Sequence, residues 1–170
     1  MGGGAVAGST EQRGTFAAVR IAIASDHAGF RLKGIVSEHL TKHGHEVTDL
    51  GTDSEEPVDY PTFCAAAGRA VVNDDADFGI VMGGSGQGEQ IAANKVHGVR
   101  AALCYDETTA RLARTHNNAN VLSLGARLLG ETLALAVVDV FLGTGFEGGR
   151  HIARIEQLRA IEAEECGGTS

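Results

Sequence analysis

The sequence predicts one doubly wound α/β domain, a five-stranded parallel sheet with helices on both faces. Three observations carry this. Short apolar runs of strand length alternate with segments of helical spacing along the chain. The chain is 43% hydrophobic but only 5% aromatic, so its core is aliphatic. Its 24 glycines fit strands that feed tight turns. At 170 residues, with no internal repeat, it has the size of a single domain.

Each element follows in order. Residues 19–25 form a short apolar strand that ends at Asp26-His27. Residues 29–43 carry Phe30, Leu32, Ile35, Val36 and Leu40 at helical spacing, and Gly44 stops that helix. A shorter strand spans 46–50, and 51–59 is a polar loop. Pro61 opens an alanine-rich helix reaching residue 73. Residues 78–82 make a third, buried strand running into Gly83-Gly-Ser-Gly-Gln-Gly88, with a helix over 89–95. Strands at 100–105 and 121–124 alternate with helices at 107–115 and 129–141. A last helix, 151–165, has Ile152, Ile155, Leu158 and Ile161 on roughly one face and predicts docking, with another subunit as a candidate surface. Residues 1–18 read as a disordered leader, 19–165 as the domain and 166–170 as a tail. Ligands of such sheets bind beyond the carboxyl ends of the strands. Three of those ends are chemically loaded: Asp26-His27, the 83–88 loop and Tyr105-Asp106.

The formal charge of −8 argues against nucleic acid or an anionic membrane as partner. No apolar run is long enough to span a membrane, and the glycine-rich start lacks a signal peptide's basic and apolar regions. The expected location is cytoplasmic. Of three cysteines, Cys64 and Cys104 lie in apolar stretches and read as buried, reduced thiols.

Four glycines and a serine among the six residues 83–88 exceed what a plain turn needs. Glycines let backbone N–H groups approach an anion, and a helix start adds a favourable field. The spacing is not that of a dinucleotide-binding loop, and no Lys-Ser/Thr follows Gly88 as a nucleotide triphosphate loop requires. Glu89 follows instead. A carboxylate beside a ring of backbone donors suits enolisation, which needs a base for a C–H proton and donors for the developing oxyanion. The plainer alternative is a carboxylate favoured by the helix dipole. That field lowers its pKa and burial raises it, so the two effects oppose. His39 and His43, four apart, read as an exposed helix end, not as a metal site.

Several segments resemble the type B ribose-5-phosphate isomerase family, which includes the galactose-6-phosphate isomerase subunits. They are Ala24-Ser-Asp-His-Ala-Gly-Phe30, Asp59-Tyr-Pro61, Gly83-Gly-Ser-Gly-Gln-Gly-Glu-Gln-Ile-Ala-Ala-Asn-Lys95, Gly98-Val-Arg-Ala101, His116-Asn-Asn118, Gly125-Ala-Arg127 and Gly148-Gly-Arg-His151. They occur in the family's order over residues 20–162. Many members carry a cysteine base where this chain has Gly83, so the resemblance is to the branch with a glutamate, here Glu89.

The resemblance implies a Rossmann/flavodoxin-like fold and interconversion of ribose 5-phosphate and ribulose 5-phosphate, a pentose phosphate pathway reaction, with no cofactor and no metal. It implies that Glu89 moves a proton between C1 and C2 through a cis-enediolate. Ser85 and the backbone of Gly84, Gly86 and Gly88 would stabilise that enediolate. Asp26 and Tyr60 would contact the sugar, His116 would assist ring opening and Asn117 would hold the substrate. His27, Arg127, Arg150 and Arg154 would hold the phosphate. Arg150 and Arg154 also share one face of the last helix by their spacing, a suitable clamp for a dianion. A homodimer with shared active sites is implied, or a tetramer, with His116, Asn117 and Arg127 as candidates for supply by the partner.

Other functions weigh less. Isomerases of tetrulose, allose or galactose phosphates would use the same chemical residues. A signalling receiver needs an aspartate where Gly83 stands, and a flavin carrier needs a Ser/Thr-rich loop where Asp26-His27-Ala28-Gly29 stands. A non-catalytic sugar-phosphate sensor is the remaining alternative.

Overall fold

The computed structural model describes residues 18–166. The expected leader therefore lies almost wholly outside the described residues, as does most of the tail. Eleven elements alternate as expected: β1 (Arg20–Ser25), α1 (Phe30–Lys42), β2 (Glu46–Asp49), α2 (Tyr60–Val72), β3 (Phe78–Gly83), α3 (Gln87–Ala93), β4 (Ala101–Leu103), α4 (Glu107–Asn117), β5 (Val121–Gly125), α5 (Glu131–Gly143) and α6 (Arg150–Cys166). The strands form one parallel sheet in the order β2-β1-β3-β5-β4. The last two strands are exchanged relative to the simplest flavodoxin-like order. Burial explains the exchange: β5 is buried along all five residues, whereas β4 is only three residues long and half-exposed, which suits an edge.

The alternation of side chains along β1 separates two cores. Ile21 and Ile23 join Leu32, Val36, Ile80, Leu122, Val138 and Phe141 under α1, α4 and α5. Ala22 and Ala24 join Cys64, Ala67, Val81, Ala93 and Val121 under α2 and α3. One face is therefore built of large aliphatic side chains and the other mostly of small ones. Among the described residues, no helix is long and apolar enough to cross a membrane.

Two expectations change. The third helix begins at Gln87, not at Glu89, because Gly86 takes a left-handed conformation (φ 77°) that turns the chain into the helix earlier. Asp106, one of the loaded strand ends, is the N-cap of α4. Its carboxylate accepts from the Thr109 N–H at 2.7 Å, and its own N–H donates to Thr109 Oγ1 at 3.2 Å. As for α6, only Ile155 of its apolar positions is buried; Ile152, Leu158 and Ile161 are about half exposed.

Candidate active site

Strands β1 and β3 lie side by side, yet the helices that follow them pack on opposite faces of the sheet. A crevice opens at such a switch point. A cleft of about 410 Å³ lies there, lined by Asp26, Tyr60, Ser85, Glu89 and Arg127 with the backbone of Gly84 and Gly88.

Asp26 is buried at the end of β1, and its carboxylate accepts from the N–H groups of Ala28 and Gly29 at 2.9 and 3.0 Å. Several glycines of the loop are packed against their neighbours. A Cβ at Gly88 would stand 2.6 Å from the Tyr60 hydroxyl, and one at Gly83 would overlap Oε1 of Glu89. The Glu89 carboxylate thus fills the space that a side chain at position 83 would need. The Gly86 carbonyl accepts from the Ser123 hydroxyl at 2.6 Å, and the Ser85 carbonyl from the Tyr105 hydroxyl at 3.0 Å. These bonds fix the loop while leaving Ser85 exposed to the cleft.

Glu89 is 4% exposed, and among the described residues its Oε2 is buried without a hydrogen-bond partner. Burial pushes its pKa up and the nearby Asp26 adds to this, while the backbone N–H groups of Glu89 and Gly86 pull the other way. Burial therefore prevails over the helix field. A carboxyl with raised affinity for a proton, beside exposed backbone, can take a proton from carbon and return it.

Cys64 is fully buried, its thiol pushed up to about 12 by burial, then by Glu89 and Asp26; burial pushes Cys104 up to about 11. Neither has the reactivity of a thiolate nucleophile. His39 is not simply exposed: its Nε2 pairs with Asp139 at 2.7 Å, and its ring lies 4.3 Å from that of His43.

His27 follows Asp26 but does not line the cleft; its Nδ1 lies 3.2 Å from both the N–H and the carbonyl of Val58. Arg127, which the resemblance grouped with residues a partner supplies, lies in the cleft of its own chain against Gly84.

His116, Asn117, Arg150 and Arg154 do not join this group. Helix α4 starts beside the carboxyl end of β4 and runs toward the amino ends of the strands, where β5 begins. Its 11 residues span about 16 Å, so His116 and Asn117 emerge at the opposite end of the sheet from Glu89. There the His116 ring stacks on His151 with centroids 4.3 Å apart and planes 11° from parallel. His116 Nε2 lies 3.7 Å from Glu147, and Arg154 approaches His151 Nδ1 at 3.4 Å. Arg150 stands exposed at the start of α6. Glu147 and His151 escaped the sequence reading as site residues. The one signal for His151 was its place directly after Arg150 in the Gly148-Gly-Arg-His151 segment.

A family model described as Ribose/Galactose Isomerase matches residues 21–158. The chain is 46% identical to ribose-5-phosphate isomerase B of Escherichia coli over 143 residues, 84% of this chain and 96% of that protein. The solved ribose-5-phosphate isomerase B of Clostridium thermocellum superposes with a TM-score of 0.85 at 46% identity, covering 86% of this chain and 99% of that one. The enzyme of Mycoplasma genitalium, solved with ribulose-5-phosphate bound, gives a TM-score of 0.82 at 47% identity, with 85% and 97% covered. The match spans most of this chain and includes both ends of the sheet where its polar clusters lie, and the chain belongs to the ribose/galactose isomerase family.

Proposed function

We propose that this chain is an aldose–ketose isomerase that interconverts ribose 5-phosphate and ribulose 5-phosphate by proton transfer through a cis-enediolate. The observation that carries the reading is Glu89: a buried carboxyl with a raised pKa and an unpartnered oxygen, held against glycine backbone at the switch point. The names of the relatives and the ribulose-5-phosphate bound to the Mycoplasma genitalium enzyme support the choice of sugar.

In the forward direction Glu89 takes the proton from C2 of the open-chain aldose. The electron pair moves into a C1–C2 double bond, and O1 becomes the oxyanion. Ser85 with the N–H groups of Gly84, Ser85 and Gly88 stabilises that charge and relays a proton from O2 to O1. Glu89 then returns its proton to C1. Asp26 and Tyr60 hold the sugar, and His27 and Arg127 belong to the phosphate's surroundings.

His116, Asn117, Arg150 and Arg154 are about a helix length from this base in their own chain. For them to act, they must come from a second copy, so the proposed working unit is a homodimer with shared sites. The exposed apolar residues of α6 fit such a contact. Two buried free thiols suit a reducing compartment, and the cytoplasm is the location proposed.

The test is ribulose 5-phosphate formation from ribose 5-phosphate by the wild type and Glu89→Gln, side by side in chelator. Turnover by the wild type and a loss of about a thousandfold or more in the variant are expected. No wild-type turnover overturns the choice of sugar; equal rates remove Glu89 as the base.

A further inference from the structure

We propose that His151 is a positioning residue, a buried imidazole whose flat face fixes the plane of His116 for the ring-opening step. The inference rests on the functional reading above, and the chain's own geometry carries it. The Glu147 N–H donates to the Thr115 carbonyl at 3.0 Å, which fastens this loop to the end of α4. Gly148 and Gly149 follow with φ of 70° and 55°, a left-handed pair that reverses the chain into α6. His151 then enters the first turn of α6, its N–H donating to the Gly148 carbonyl at 3.0 Å. This path lays its ring flat on His116.

The two rings are unequal. His151 is 4% exposed, whereas the side chain of His116 keeps 36% of its accessibility. Arg154 can only donate, so Nδ1 of His151 is the acceptor at 3.4 Å and the ring proton is on Nε2. That nitrogen is buried with no partner among the described residues. Among the described residues, the titratable groups that face His151 are His116 on α4, Arg150 and Arg154 on α6, and Glu147 in the loop. Burial, then His116 and the two arginines, hold its pKa below the ordinary imidazole value, with Glu147 alone opposing. Of the two rings, His151 is the enclosed one, and His116 is the one that faces Glu147 and solvent.

Donor atoms of His116, Glu147 and His151 lie within 4.8 Å of one another, a distance compatible with a cation. The orientation is not. Lone pairs of parallel rings run side by side instead of converging, and Arg150 and Arg154 flank the group. A stack that holds one ring is the arrangement these atoms form.

Ring opening moves the proton of His116 to the ring oxygen as the C1–O4 bond breaks and the O1–H proton leaves to a carboxylate, for which Asp26 is placed. Ribulose 5-phosphate has no such ring. Deuterium exchange at its C1 in heavy water therefore reads enolisation by Glu89 without His116, and turnover of ribose 5-phosphate reads both steps. His151→Ala is expected to lower turnover of ribose 5-phosphate by about tenfold to a hundredfold while C1 exchange stays within about threefold. His151→Phe, which keeps a buried flat face, is expected to restore turnover to within about fivefold of the wild type. If the alanine variant does not fold, His151→Leu supplies burial without a flat face and is expected to be as impaired. Turnover by the alanine or leucine variant within twofold of the wild type overturns the proposal. So does a parallel fall in both readouts, or a phenylalanine variant no better than alanine. Absence of wild-type turnover sinks the functional reading and this inference together; wild-type turnover with any of the other contrary results sinks only the role of His151.

Discussion

The two ends of the sheet differ in how complete they are. At the carboxyl ends of the strands, Glu89 is enclosed, its neighbours are glycines packed to contact, and Asp26 is satisfied by two backbone N–H groups. At the amino ends, His116, Asn117, Arg150 and Arg154 stand half or fully exposed, with His116, Arg150 and Arg154 around the buried His151. A base for carbon acids needs burial to raise its proton affinity, and one chain can supply that. Groups suited to grip a dianion are costly to bury unless a counter-charge comes with them, so in the absence of the anion they are best left in water. The exposed end is therefore the half suited to be lent to another subunit.

The sharpest way to break this comparison is to crowd the enclosed end. Gly83→Ala puts a methyl group where the Glu89 carboxylate lies. Turnover is expected to fall about a hundredfold with the fold intact, since a displacement of about 1 Å costs that much. A variant within a few-fold of the wild type would show that the carboxylate has room to move. The second test asks whether the exposed end is lent. Glu89→Gln and His116→Ala, each nearly inactive alone, are unfolded, mixed in equal amounts and refolded together. Half the dimers are then mixed and carry one intact site of two, so activity should return to about a quarter of the wild type. No recovery would mean that both groups act within one chain.

The smallest expected effect concerns stability. Burial raises the pKa of Glu89 in the folded state above its unfolded value of about 4.3. The folded chain then binds that proton more tightly, so the penalty is absent below the unfolded value. It grows as pH rises through the folded one and is constant above. Glu89→Gln carries no such charge. Its Tm should exceed the wild type's by a few degrees at about pH 8 and match it near about pH 4. An equal Tm at both values would mean the carboxyl is less desolvated than its burial indicates.

Much of this was legible in the residues themselves. Strand length, glycine placement and helical spacing located all the elements, because each depends on local pattern. The edge position of β4 was not legible, since strand order follows from which strands can be buried on both sides. Glu89 stood out by its place after the glycines, but the direction of its pKa depends on enclosure that includes Tyr60 and Asp26, which are distant in sequence. His116 was found by resemblance, whereas its separation from Glu89 follows from the direction of α4. His151 looked like the neighbour of an arginine because nothing in a sequence announces that two rings are parallel.

The overlap between a side chain at position 83 and the Glu89 carboxylate bears on ancestry. A side chain at position 83 and the Glu89 carboxylate exclude one another in space, so this backbone can hold one or the other but not both. If Glu89 is the base as proposed, a lineage that gains a side chain at position 83 by single changes must either surrender the glutamate first or crowd it out. Under that reading either order passes through a poorly active intermediate, and the glycine is as constrained as the base it makes room for.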